Sequence, residues 1–520
     1  MSIQSKSYPN LYKDSVSLMT VSAKVMAVPG IETASVVMAS ATNVANLLQA
    51  GLGTFEVRPN DLVVAVSGSD EACAEALKKA DELLTAKTGG GEDGAVSKQP
   101  VTSLQMAVAQ DPASNFALIS VPGDYAAAEA MKALRLGMDV MMFSDNVPVA
   151  SELALKQFAQ QQNLMVMGPD CGTAIVNGVP LGFANVVRRG PIGVVGASGT
   201  GTQEVTVDIH QLGSGISQAL GTGGHDLSEA IGGISMLHGL AALDADPETK
   251  VIVLVSKPPA AEVAAKVLAA AEASVKPVVV IFLGVDPATI TRKGVHGAWY
   301  LGQAAEMAVD LVNGGSPVAT IPPLANDMKH LLGGLARAMA PEQRHVRGIY
   351  SGGTFCYGAQ LVHAHFGLTA FSNTPTKGNA PLADNWKSQE NTFVDMGDDA
   401  FTQGRPHPMI DPSLRDARLR DEVDDPTTAV VLFDVVLGYG SAENPVAALL
   451  GIIGSTRAKA KASGRTVVFI SYVCGTDMDP QDRNKIVADL KAAGVLIASS
   501  NAEAAVWSAA IISQRQGAKL

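Results

Sequence analysis

The chain reads as a multidomain α/β protein built from open, parallel sheets with helices on both faces. Three observations predict this. Short apolar runs such as Val251–Val255, Val278–Phe282 and Ala429–Phe433 alternate with helical segments, the pattern of strands buried on both sides. At 520 residues the chain is too long for one core, and ordinary domain sizes give about three to four domains. Finally, one strand–turn–helix device occurs twice.

In the first copy, Ile192–Val195 leads into Gly196-Ala197-Ser198-Gly199-Thr200-Gly201-Thr202-Gln203-Glu204. In the second, Arg347–Tyr350 leads into Ser351-Gly352-Gly353-Thr354-Phe355-Cys356-Tyr357-Gly358. Such a turn leaves backbone N–H groups free at a helix N-terminus, where the dipole favours an anion. Ser198, Gly199, Thr200, Gly201 and Thr202, with Ser351, Gly352, Gly353 and Thr354, are therefore the candidate phosphate-binding residues. The likeness extends further. Leu220–Asp226 follows the first device and Phe393–Asp399 the second, and each unit then has an Asp-Pro-x-Thr lead-in to a strand, at Asp246 and Asp425. The two units read as related open α/β domains.

The remaining elements follow in order. Leu18–Met26 predicts a helix ending at Pro29-Gly30, Ile31–Met38 a strand, Asp61–Val66 a strand and Glu71–Leu84 an amphipathic helix. The glycine-rich stretch 87–94 reads as a linker. A second α/β unit has strands at Phe116–Val121, Asp139–Phe143 and Leu164–Met167, the last running into Gly168-Pro169-Asp170-Cys171-Gly172. A second linker is expected near Gly314–Asp327. The expected domains are 1–95, 96–188, 189–325 and 340–520.

Composition narrows the function. A net charge of −12 argues against nucleic acid or an anionic membrane as the main partner. Only 17% of residues are charged and 47% are apolar, which favours large buried interfaces, so homo-oligomers and hetero-oligomers are expected. The four cysteines are far apart and lack CxxC spacing, so neither disulfides nor a metal site is read from them. No signal-like start and no apolar run of roughly 18 residues is present. A cytoplasmic protein is expected.

The first turn nearly fits the GxxxxGK[ST] phosphate loop, but Thr202 stands where lysine is required, which argues against an autonomous NTPase. His296, read in a small-residue loop after the strand near Gly284, is a candidate phosphoryl acceptor or a solvated loop histidine. The segment Gly404-Arg405-Pro406-His407-Pro408 offers Arg405 for an anion and His407 as donor or proton carrier. With His296 these form the candidate catalytic set. His225 and Asp398, in the loops after each device, are candidate substrate-binding residues.

Gly168–Gly172, Ser198–Glu204 and Gly221–Asp226, in that order, resemble the α subunit of succinyl-CoA synthetase. The chain from Arg347 onward resembles the carboxyl-terminal domain of that enzyme's β subunit. Their fusion, with Phe143-Ser144-Asp145-Asn146-Val147-Pro148 and Gly404–Pro412, is the pattern of the FdrA family. This resemblance implies a CoA-binding-like Rossmann unit at 96–188 followed by two flavodoxin-like, succinyl-CoA synthetase-type domains. It also implies helix N-termini stabilising a phosphorylated group, and His296 near the matching phosphohistidine loop. Coenzyme A is the one cofactor implied, and no other is read from the residues.

The chain also departs from succinyl-CoA synthetase. Ser256-Lys257-Pro258-Pro259 stands where the histidine's acidic partner is expected, and there is neither a nucleotide-binding ATP-grasp domain nor a GFTGxxG-type loop. One branch of the family is a subunit of oxamate carbamoyltransferase in purine-derived nitrogen catabolism. The expected function is thus a carbamoyl- or acyl-phosphate transferase subunit. The alternatives are an acyl-CoA ligase working with a separate nucleotide-binding subunit, and a non-catalytic scaffold subunit.

Overall fold

The computed structural model describes residues 2–85, 101–320, 324–403 and 405–517. The expected linker at 87–94 lies outside them, as does part of the stretch 314–327. Two compact units result: residues up to Cys171 together with Thr402–Pro406, and Gly172–Phe401 together with His407–Leu520.

The first unit contains two small sheets. β1 (Ser2–Tyr8), β2 (Ile31–Met38) and β3 (Leu62–Gly68) form an antiparallel sheet in the order β1-β3-β2. Central β3 buries Leu62, Val64 and Val66 on one face and Val63 and Ala65 on the other. This explains its unbroken apolar run. β4 (Phe116–Ile119), β5 (Asp139–Met142) and β6 (Val166–Met167) form a parallel sheet in chain order. The helices Gly123–Arg135 and Val149–Gln161 connect its strands.

The second unit contains two seven-stranded sheets. The first takes β7 (Thr173–Val176), β8 (Val179–Gly182), β9 (Arg189–Gly196), β10 (Ile216–Gly221), β11 (Val251–Ser256), β12 (Val278–Phe282) and β13 (Val295–Gly297), in the order β13-β12-β11-β9-β10-β7-β8. The second takes β14 (His345–Tyr350), β15 (Phe371–Ser372), β16 (Ala380–Pro381), β17 (Thr392–Asp395), β18 (Thr428–Val436), β19 (Val468–Cys474) and β20 (Leu496–Ala498), in the order β16-β15-β17-β14-β18-β19-β20. β11 is buried on both faces: Val251, Val253 and Val255 enter one core, Ile252 and Leu254 the other. Each such side chain stabilises the fold by about 1.5–3 kcal/mol.

The duplication is visible in the topology. β9 lies between β10 and β11, and β14 lies between β17 and β18. Each glycine-rich turn therefore leaves its sheet at the switch point of strand order, where ligands of open α/β sheets bind. Equivalent backbone bonds mark the same register: Thr222 N donates to Gly196 O, and Met396 N to Tyr350 O, both at 2.8 Å.

One boundary differs from the sequence reading. β7 and β8, expected with the preceding unit, pair into the sheet of β9–β13 through an antiparallel contact of Ile175 with Ala219. The hairpin turn is Asn177-Gly178, with φ of 51° and 81°, a two-residue loop that demands left-handed residues.

Candidate functional site

The helix Gly199–Gln211 starts from Ser198, whose extended backbone leaves its side chain free to accept from Gly201 N at 3.1 Å. Thr202 Oγ1 donates back to Ser198 O at 2.7 Å, so the threonine that replaces the phosphate-loop lysine is spent on its own helix. Gly199 is exposed, and the N–H groups of Gly199 and Thr200 have no intrahelical acceptor.

The helix Gly353–His365 starts differently. Its N-cap, Gly352, offers no side chain. Instead Ser351 N and Gly352 N both donate at 2.7 Å to the carboxylate of Asp434 on β18. Burial raises the Asp434 carboxyl above its usual range, while these two amides and Arg415 oppose the shift. Half of this turn is thus closed by the protein's own anion.

The two helix starts meet. Ser198 Oγ and Thr354 Oγ1 lie 2.5 Å apart. A Cβ on Gly201 would lie 3.2 Å from Thr354 Cγ2, and one on Gly352 3.0 Å from Thr200 Cγ2. The structure thus brings Ser198, Thr200, Gly201, Gly352 and Thr354 into one contact, with Gly199, Thr202, Ser351 and Gly353 on the same two turns.

Three further side chains surround this contact. Lys257 follows directly on β11, is exposed, and holds its Nζ 5.7 Å from the Tyr357 ring centroid. Asp395, at the end of β17, is 8% exposed. Its Oδ1 accepts from Gly397 N at 2.9 Å, while a Cβ on Gly353 would come within 2.4 Å of Oδ2. Burial pushes its carboxyl up to about 7, against the pull of Lys257 and with a smaller upward push from Asp398 and Asp434. His407 Nε2 lies 2.6 Å from where a Gly397 Cβ would be. Its Nδ1 accepts from Met409 N at 3.2 Å, which puts the ring proton on Nε2. Burial lowers its pKa to about 4, so at neutral pH it is an uncharged donor. The hydroxyl of Ser351, 2% exposed, has no hydrogen-bond partner among the described residues. An orphan of this kind costs about 1–3 kcal/mol.

Other residues fall elsewhere. His296 is not in a loop but in edge strand β13, half-buried and level with Val279 of β12. Through Val253 and Val194, that register puts it three strands, about 14 Å, to the side of β9. It lies two residues short of Gly196, or about 7 Å down the sheet. The run Val-His-Gly pairs as a strand because Val295 fills the core beneath it. Arg405 belongs to the first compact unit and His407 to the second, so the short segment that carries both is divided between two bodies. Its Gly404 lies outside the described residues. His225 is exposed, and the adjacent Asp226 accepts from Ser235 N and Met236 N at 3.1 and 2.8 Å, closing the start of the helix Ile234–Ala245. Asp398 accepts from Ala400 N at 3.0 Å, within a short turn.

Sequence reasoning did not single out Asp395, Asp434 or Lys257 as site residues. Two signals were present. Asp434 is a charge inside an apolar strand run, and Asp395 ends a strand beside the switch point.

Family models match three stretches: residues 1–100 to an AllF heavy metal-associated domain, 187–284 to a CoA binding domain, and 349–511 to a CoA-ligase domain. The CoA-binding match thus falls on β9–β12. In the first stretch, Cys73 is the single cysteine, and it is buried. Among the described residues no group of three or more His, Cys, Asp and Glu could hold a metal, and no helix is long and apolar enough to cross a membrane.

The chain is 42% identical over 505 residues to the uncharacterized protein YahF of Escherichia coli (strain K12), covering 96% of this chain and 97% of that protein. It is 28% identical over 180 residues to the succinate–CoA ligase [ADP-forming] subunit alpha of Aquifex aeolicus (strain VF5), covering 34% of this chain and 57% of that subunit. The match thus spans little more than half of that relative. Among solved structures, ATP citrate lyase from Methanothrix soehngenii in complex with citrate and coenzyme A aligns at 17% identity over 45% of each chain, with a TM-score of 0.35.

Parallel sheets, paired helix starts and the matched domains define a member of the succinyl-CoA synthetase-like superfamily of CoA-binding and CoA-ligase proteins. Within it, the chain belongs to the FdrA family.

For coenzyme A, which the matched models imply, the donors of residues 187–284 are unequal. The helix start at Ile234 is closed by Asp226, and the one at Gly199 is open. The Gly199 start fits a phosphoryl or carboxylate group, and the start at Ala261 also lacks a side-chain cap.

Proposed function

We propose that the chain is a subunit of a carbamoyl- or acyl-phosphate transferase, of the oxamate carbamoyltransferase kind, with the phosphate held at the facing helix starts. The observation that carries this reading is the 2.5 Å contact of Ser198 with Thr354, flanked by Lys257. The open Gly199 helix start presents roughly half a positive charge, Lys257 adds a full one, and at the Gly353 start Asp434 offsets part of the helix's own. These groups suit the charge that grows on a departing phosphate. His407, uncharged and protonated on Nε2, is suited to donate to the carbonyl oxygen rather than to shuttle protons. A phosphohistidine relay needs a histidine within reach and an acid to orient it. His296 lies to the side, and Lys257 stands where that acid would be.

On this reading the chain works in the cytoplasm within homo- and hetero-oligomers. The test is phosphate release from carbamoyl or acetyl phosphate, by the purified chain alone and with the products of neighbouring genes, using carboxamide acceptors. Calorimetric titration with inorganic phosphate accompanies it. No release and no phosphate binding would sink the proposal.

A second reading, an acyl-CoA ligase acting with a separate nucleotide-binding subunit, is favoured by the CoA-binding and CoA-ligase matches. Its signatures are CoA-dependent turnover and acid-labile phosphate on His296.

A further inference from the structure

Resting on that reading, we propose that Asp395 is the catalytic base of this site, taking the proton of a neutral N–H nucleophile as the acyl or carbamoyl group leaves phosphate. The geometry is specific. Asp395 is held by its own main chain, with Asn373 Nδ2 donating to its carbonyl at 3.0 Å and Asn373 Oδ1 accepting from its N–H at 2.9 Å. Gly397 N fixes Oδ1. No hydrogen bond from the described residues reaches Oδ2, and that oxygen points at the start of the Gly353 helix. Asp395, a residue nine-tenths buried, thus keeps one carboxylate oxygen without a hydrogen bond from the described residues, and that oxygen is aimed at the helix start that follows Ser351 and Gly352.

The step balances. The nitrogen lone pair forms a bond to the carbonyl carbon. The bond from that carbon to the phosphate oxygen breaks, and its electron pair leaves with phosphate. The nitrogen proton passes to Asp395 Oδ2 and then to the departing phosphate, restoring the carboxylate. Every charged or titratable group facing Asp395 takes part in setting its readiness. Lys257 after β11 favours the charged form, and Asp398 and Asp434 oppose it. Cys356 on the Gly353 helix is itself pushed up by burial and by Asp395, and His407 is uncharged. A carboxylate balanced near neutral pH is matched to base catalysis.

Asp395→Asn and Lys257→Met test the assignment by three measurements. Infrared difference spectra against pH, wild type minus Asp395→Asn, should show a carboxyl band titrating near neutrality, and its midpoint should rise in Lys257→Met and on adding inorganic phosphate. Asp395→Asn should lower kcat by about 10²–10⁴-fold while the Kd for inorganic phosphate stays within about threefold. A midpoint in the ordinary carboxylate range near 4 overturns the proposal, and so does a parallel loss of binding and turnover. Full activity of Asp395→Asn in a chain that binds phosphate removes the base and leaves the site reading intact. Absence of phosphate binding in the wild type removes the site reading, and the base with it.

Discussion

Tyr472 donates its phenolic hydrogen to Asp208 at 3.0 Å, joining β19 of one seven-stranded sheet to the helix Gly199–Gln211 packed on the other. Asp208 shares that helix with Glu204, which accepts from Asn501 N at 3.0 Å. Both carboxylates are buried. Burial raises Asp208 to about 8, and burial followed by repulsion from Asp208 raises Glu204 well above its usual range.

These acids predict how stability depends on pH. A carboxyl raised on folding holds a proton that the unfolded chain releases near pH 4, so its contribution declines as pH climbs towards the folded value. His363 and His407, lowered to about 4 by burial, act in the opposite sense, but only up to about 6.5. Between pH 6.5 and 8 the melting temperature should therefore fall. Asp208→Asn should flatten that fall by at most about 2 kcal/mol, read by scanning calorimetry. An unchanged slope would show that Asp208 does not carry a proton in the native chain.

Thr354→Val keeps the shape of the side chain and removes its hydroxyl. Ser198 then loses its 2.5 Å partner, and an anion at the helix starts loses one donor. Inorganic phosphate affinity should drop about tenfold, the worth of a hydrogen bond to a charged group, with little change in melting temperature. Titration calorimetry reads this directly.

The two glycines at the helix starts should respond differently. A Cβ on Gly199 meets nothing closer than Thr173 Oγ1 at 3.5 Å, whereas one on Gly353 would sit 2.4 Å from Asp395 Oδ2. Gly199→Ala should preserve the fold, with a gain of up to about 1 kcal/mol. Gly353→Ala must displace Asp395 and should lower both phosphate affinity and turnover. Equal behaviour of the two variants would contradict the placement of Asp395.

His296→Ala should leave phosphate affinity unchanged and retain most of any acyl-phosphate transferase activity, because edge strand β13 carries the ring away from the turns. Stoichiometric acid-labile phosphate on wild-type chain, absent from this variant, would instead favour the ligase.

Much of the fold was legible because its causes are local. Runs such as Val251–Val255 have to be apolar when both faces are covered, and the helix starts at Ser198 and Gly352 advertise themselves through small and hydroxylated residues. Edge elements were harder to see. β1 reads Ser-Ile-Gln-Ser-Lys-Ser-Tyr because solvent covers much of it. The β7–β8 hairpin had the Asn177-Gly178 signal, and only its pairing with β10 assigns it to a sheet. Asp395 and Asp434 were hidden for another reason. Each occupies an ordinary strand position, and its meaning depends on which turn lies across the register. The spacing Arg405-Pro-His407 likewise cannot tell that the chain passes between two compact units there.

Asp434 and Asp395 stand where the first copy of the device has Val255 and Gly221, as the shared strand registers show. A duplicated motif has thereby become two unlike jaws, one bare and one acidic. Between identical jaws, a small molecule with two different ends could lie either way round at equal energy. Between these, on the transferase reading, its more negative end turns towards the bare Gly199 start and its proton-bearing end towards Asp395 and Asp434. The departure from internal symmetry gives the pair of helix starts a direction, so on that same reading head and tail of a bound molecule are told apart at the turns themselves.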